Sequence, residues 1–66
     1  MKKPSMLELD WGERVAKKRH SHGLTQQELA NMVGVARETI ANIENGHQRT
    51  ILAVAFKLRE VIGVRI

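Results

Sequence analysis

Residues 37–45 read RETIANIEN, and five of these nine side chains can hold or read a polyanion. Arg37 can pair bidentately with guanine O6 and N7, Asn42 can do the same with adenine, and Glu38 can accept from cytosine N4. Thr39 and Asn45 suit phosphate oxygens, as does Arg19 upstream, and phosphate contacts fix register without reading sequence. The competing reading of such residues is that they only solvate the outer face of a helix. Ile40 and Ile43 fall at helical spacing on the opposite side, so the polar set is left pointing outward.

Other chemistry finds little support. His20, His22 and His47 invite a metal site, but His-x-His on a helix sends its rings to different faces. There is no cysteine, so disulfides and thiolate sites are excluded. No carboxylate stands at convincing ligand spacing, no Gly-rich phosphate loop occurs, and no nucleophile has a nearby base. We expect neither metal nor cofactor, and no enzyme.

The elements that must position residues 37–45 are legible on either side. Thr25 and Glu28 form a T-x-x-E capping box, in which each side chain satisfies an orphan amide at a helix start. Leu29, Ala30 and Val33 follow at helical spacing, and Gly34 can close that helix in the left-handed region. Val35 fills the gap before a second short helix. Two short helices joined by a tight turn, the second with a polar outward face, make a helix-turn-helix. Upstream, a first helix is predicted to start near Asp10, with Asp10 and Glu13 as a carboxylate capping box. Trp11, Val15 and His22 line its inner face, and residues 20–23 end it. Residues 1–9 form an arm, and residues 10–66 the domain. Thr50 is the expected cap of a fourth helix over residues 51–62, ended by Gly63. Leu52, Ala55, Leu58 and Ile62 are expected to face the core. Val54, Phe56 and Val61 are then left for a second surface, joined by a tail of Val64 to Ile66 that can pair as a short strand. The expected fold is all-α, a compact four-helix domain with room for a short fifth element.

The run from Gly23 to Gly46, GLTQQELANMVGVARETIANIENG, resembles the lambda-repressor-like helix-turn-helix domain, of the Cro/repressor or xenobiotic-response-element type. The family pattern is close to GLTQxELAxxxGVSRxTIxxIENG. The match holds at Gly23, Leu24, Thr25, Gln26, Glu28, Leu29, Ala30, Gly34, Val35, Arg37, Thr39, Ile40, Ile43, Glu44, Asn45 and Gly46. The resemblance extends from about Trp11 to Val64. It implies that Arg37, Glu38 and Asn42 are base readers, that Gln26 touches DNA from the start of the second helix, and that Arg19 pairs with Glu44. Gln27 and Arg49 complete the candidate DNA contacts. Three departures stand out. Ala36 replaces the usual capping Ser, Arg59 occupies a place where the family prefers a small apolar residue, and many relatives run on into a fifth helix.

Composition agrees. Sixty-six residues make one small domain, whose core rarely contributes more than about 3–5 kcal/mol. Eleven Lys and Arg against seven Asp and Glu leave +4, which suits a polyanionic partner, although acids before bases also suit the dipole of the first helix. No signal peptide or membrane span is apparent, so a cytoplasmic location is expected. The reading is a sequence-specific, double-stranded-DNA-binding transcription regulator, a homodimeric autorepressor on a near-palindromic operator, with Val54, Phe56, Val61, Val64 and Ile66 at the dimer contact. With no sensor domain in view, no small-molecule ligand is expected. The alternative is the antitoxin of a toxin–antitoxin pair, which also holds a protein partner.

Overall fold

The computed structural model describes residues 6–65, which form four helices and, within those residues, no strand. They are α1 (Met6–Ser21), α2 (Gln26–Val33), α3 (Arg37–Glu44) and α4 (Leu52–Ile62). The fold class is as expected. Residues 1–5 and Ile66 lie outside the described part, so most of the expected arm and the last residue of the tail are not placed.

Helix α1 begins at Met6, earlier than the expected start near Asp10. Leu7, Glu8 and Leu9 favour a helix, and tertiary contacts hold its head: Glu8 pairs with Arg49 at 3.3 Å, and Trp11 Nε1 donates to Thr50 Oγ1 at 2.8 Å. Asp10 is therefore inside the helix rather than its cap, and lies 3.8 Å from Arg14 one turn on. At the other end His22, expected on the inner face, is exposed, with its Nε2 reaching the Ile62 carbonyl at 3.2 Å.

A second difference involves the same bond. Thr50 does not cap α4: it lies one residue before the cap position, with its hydroxyl accepting from the indole. Ile51 occupies the cap position without a side-chain bond, and the helix starts at Leu52. Gly63 closes α4 at φ 71°, as expected.

The core gathers Val15 from α1, Leu29, Ala30 and Val33 from α2, Ile40 and Ile43 from α3, Leu58 and Ile62 from α4, and Val64 from the tail. Ala55 is buried beside them. Several apolar assignments on α4 change. Leu52, expected inside, is 64% exposed. Val54 and Val61, expected on an outer surface, pack half-buried against the core. Val64, expected at a dimer contact, is 1% exposed in the chain's own core. Ala55, Leu58 and Ile62 face the core as expected, so the inward stripe of α4 holds and only its first position, Leu52, falls outside it. Phe56 remains outside at 46% exposure.

Helix α1 meets α3 at Gly12, whose role the sequence reading missed. A Cβ there would fall closest to the Ile43 carbonyl oxygen and 2.6 Å from that of Glu44. Only a hydrogen side chain lets the two backbones approach so closely. A glycine inside an otherwise unbroken helical pattern is the sequence signature of such an approach.

Candidate nucleic-acid interface

The turn between α2 and α3 is built by local chemistry. Glu28 N–H donates to Thr25 Oγ1 at 3.0 Å, and Thr25 N–H donates to Glu28 Oε1 at 2.8 Å, completing the capping box. The Thr25 backbone bond, then its hydroxyl, lowers the Glu28 carboxyl pKa. Gly34 closes α2 at φ 84°, and the amides of Gly34 and Val35 both donate to the Ala30 carbonyl, at 2.8 and 3.0 Å. Val35 is half-buried against the core, filling the corner. Ala36 stands at the α3 cap with extended backbone and no side-chain bond, so the departure from Ser leaves that helix start uncapped.

Behind α3 lies a charged brace. Arg19 donates from Nε to Glu44 Oε2 at 2.7 Å and from Nη2 to Glu44 Oε1 at 3.0 Å, a two-pronged pair with side chains 9% and 6% exposed. Arg19 Nη1 donates to the Leu24 carbonyl at 2.8 Å, and Nη2 also reaches His20 Nε2 at 3.2 Å. Gln26 Nε2 adds a third bond to Glu44, at 3.1 Å. Five residues on α1, the α1–α2 loop, α2 and α3 thus share one network. The Glu44 bond raises the Arg19 pKa, outweighing the lowering by burial. A buried pair of this kind fixes geometry more surely than it adds stability.

The brace holds α3 with one face out. Arg37, Glu38, Asn42 and Asn45 are exposed, and Thr39 is half-buried. Asn42 Nδ2 makes only a long bond, 3.5 Å, to Gln48 Oε1. A rigid helix with exposed donors and acceptors can present them to base edges without first breaking internal bonds.

The remaining expected contacts divide. Gln27 is exposed on α2, donating to Asn31 Oδ1 at 2.9 Å. Gln26 is half-buried and turned to Glu44. Arg19 is 8% exposed with most of its donors engaged inside the fold, in the structural pair that the resemblance implied. Arg49 is exposed but directed to Glu8 at the head of α1 rather than grouped with α3. His20, His22 and His47 have separate surroundings, and no three metal-ligating side chains gather among the described residues. No helix among those residues is long and apolar enough to cross a membrane.

Comparison with known proteins gives a consistent picture. The family model described as helix-turn-helix matches residues 15–66. An uncharacterised HTH-type transcriptional regulator of Archaeoglobus fulgidus is 43% identical over 53 residues, covering 80% of this chain and 76% of that one. Another, from Methanocaldococcus jannaschii, is 47% identical over 45 residues, 68% of each chain. A putative HTH-type regulatory protein of Thermococcus kodakarensis is 40% identical over 50 residues, where the match spans 16% of its length. Among solved structures, the restriction-modification controller protein C.AhdI from Aeromonas hydrophila superposes with a TM-score of 0.86, covering 92% of both chains at 24% identity, a likeness of fold.

Proposed function

This chain belongs to the helix-turn-helix family of transcriptional regulators, and from that premise we propose that it is a sequence-specific repressor, acting as a homodimer on a near-palindromic operator. The observation that carries the reading is the exposed face of α3, fixed from behind by the Arg19–Glu44 brace. Arg37 and Asn42 read bases in the major groove, Glu38 contributes at a cytosine, and Thr39, Asn45 and Gln27 hold phosphates. Arg37 lies at the start of α3, the end nearest base edges in this docking geometry.

The dimer is supported by apolar surface that the fold leaves open. Ile51, Leu52 and Phe56, at 68%, 64% and 46% exposure, cluster at the start of α4. A two-fold contact uses one such patch on both chains and would set two α3 helices about 34 Å apart, one turn of duplex.

Selection from randomised duplexes at physiological salt tests the proposal. The wild type enriches a near-palindrome, while Arg37→Ala and Asn42→Ala each weaken the selected site by about 1–3 kcal/mol and relax preference at one position. Equal enrichment of all duplexes, or unchanged preference in both folded variants, refutes the reader assignment. Light scattering that finds a monomer, free and on DNA, refutes the dimer.

A further inference from the structure

A second basic surface lies away from α3. A groove of about 480 Å³ runs between the end of α1 and the tail after α4, lined by Arg14, Lys17, Lys18, Ser21, Val64 and Arg65. It gathers four of the chain's eleven Lys and Arg. Favourable interaction with the α1 dipole accounts for Lys17 and Lys18 near the helix end. It does not account for Arg65, which the fold brings in from the far end of the chain, its carbonyl accepting from the Arg14 guanidinium. Among the described residues Asp10 is the one carboxylate ion-paired to these cations, 3.8 Å from Arg14, and Lys17, Lys18 and Arg65 are exposed.

The direction of this surface follows from helix geometry. Gly12 and Arg19 define the α1 face that meets α3. At 3.6 residues per turn, Arg14, Lys17, Lys18 and Ser21 fall about half a turn round from them. On α3, Ile43 and Glu44 face α1, whereas Glu38, Asn42 and Asn45 face away. The basic groove and the Glu38, Asn42 and Asn45 side of α3 therefore lie on opposite sides of the α1–α3 pair, while Arg37, seven residues before Glu44, falls nearer the Glu44 side.

The groove's composition selects the partner. Stable protein contacts centre on an aromatic or aliphatic anchor, and this groove offers none, since Val64 is 1% exposed. Phosphate backbone needs only cations at close spacing, and α1 carries its three over about one turn.

We propose that this groove holds the phosphate backbone of a second duplex segment, so that the protein bridges two stretches of DNA. The inference rests on the reading of α3 as the first DNA surface. The test immobilises a selected duplex, saturates it with protein and measures retention of a fluorescent random-sequence duplex. The wild type retains the second duplex. Lys17→Gln/Lys18→Gln, folded by circular dichroism, retains it about tenfold less well, with a salt slope smaller by about 2, while binding the immobilised duplex within about twofold of wild type. Arg37→Ala/Asn42→Ala loses preference on the first duplex and keeps capture of the second. A wild type that binds one duplex and never a second overturns the proposal. So does equal weakening of both duplexes in the lysine variant, which would place the groove on the same DNA as α3. So does capture lost only in the α3 variant, which would assign bridging to two reading helices, or displacement by polyglutamate in preference to duplex, which would assign an acidic protein. Preference that survives Arg37→Ala/Asn42→Ala but not the lysine variant overturns the α3 reading instead.

Discussion

Replacing Gly12 with Ala sets two opposing effects against each other. In a helix interior Ala is favoured over Gly by about 1 kcal/mol, so local propensity alone says that Gly12→Ala stabilises α1. The tertiary structure says the reverse. The new methyl would lie 2.6 Å from the Glu44 carbonyl oxygen and 2.9 Å from its carbonyl carbon, closest of all to the Ile43 carbonyl oxygen, where comfortable contacts are about 3.5–4.0 Å. These are backbone atoms of α3 and cannot rotate aside, so α3 must withdraw by about 1 Å. Overpacking of this kind costs about 1–3 kcal/mol. The same withdrawal stretches the 2.7 and 3.0 Å bonds from Arg19 to Glu44 beyond good hydrogen-bond length, and bonds to charged groups contribute about 1.5–3 kcal/mol. The net expectation is a loss of about 2–4 kcal/mol, most of the stability available to so small a core. Urea unfolding followed by far-ultraviolet circular dichroism measures it, with Gly12→Ser expected to be no better than Ala. If Gly12→Ala is as stable as the wild type or more so, the close approach of α1 and α3 is wrong.

The brace gives a second expectation. Removing either partner leaves a buried charge alone, at a cost of about 3–5 kcal/mol, and a double-mutant cycle on Arg19 and Glu44 should show coupling, with additive losses ruling it out. Arg19→Lys should not restore stability, since a lysine cannot make the two-pronged contact. At the α3 cap, where the Thr39 amide donates only to the Ala36 carbonyl at 3.0 Å, Ala36→Ser offers the first-turn amides a hydroxyl acceptor and should raise stability by about 1 kcal/mol in urea titrations, with function retained; no gain would mean that the backbone bond already satisfies the cap. The Glu28 carboxyl is held low by its bonds from Thr25, so its contribution is complete above the ordinary carboxylate range, about 4.3, and disappears as pH falls through the lowered value. Glu28→Gln should therefore flatten the acid limb of stability against pH, and parallel curves for the two proteins would refute that linkage.

What the sequence by itself determined is the part whose causes are near neighbours. The Thr25–Glu28 capping box joins residues three apart, Gly34 and Gly63 end helices through their own backbone freedom, and Ile40 and Ile43 set the inner face of α3 by spacing alone. Each is decided within a turn or two, so pattern and propensity suffice. The Arg19–Glu44 pair, expected from resemblance rather than from local pattern, forms across 25 residues. The tertiary structure decided what depends on distant partners. Thr50 was expected to cap α4, but the cap position falls on Ile51, and the Thr50 hydroxyl accepts from the indole 39 residues away. The start of α1 at Met6 was missed although Ser5 and Glu8 have the S-x-x-E spacing of a helix start, and Glu8 and Trp11 are also held by the loop before α4. The inward stripe of α4 was legible at Ala55, Leu58 and Ile62, but not how far the core extends on either side of it, because that helix is apolar on more than one face. Packing buries Val64 and half-buries Val54 and Val61, and leaves Leu52 and Phe56 open. Gly12 looks in sequence like a weak point of a helix and is in space the place where two backbones meet. Hydrophobicity is not directional, so an apolar surplus shows that surface must be covered but not which surface; close packing of α4 on α2 and α1 makes that choice.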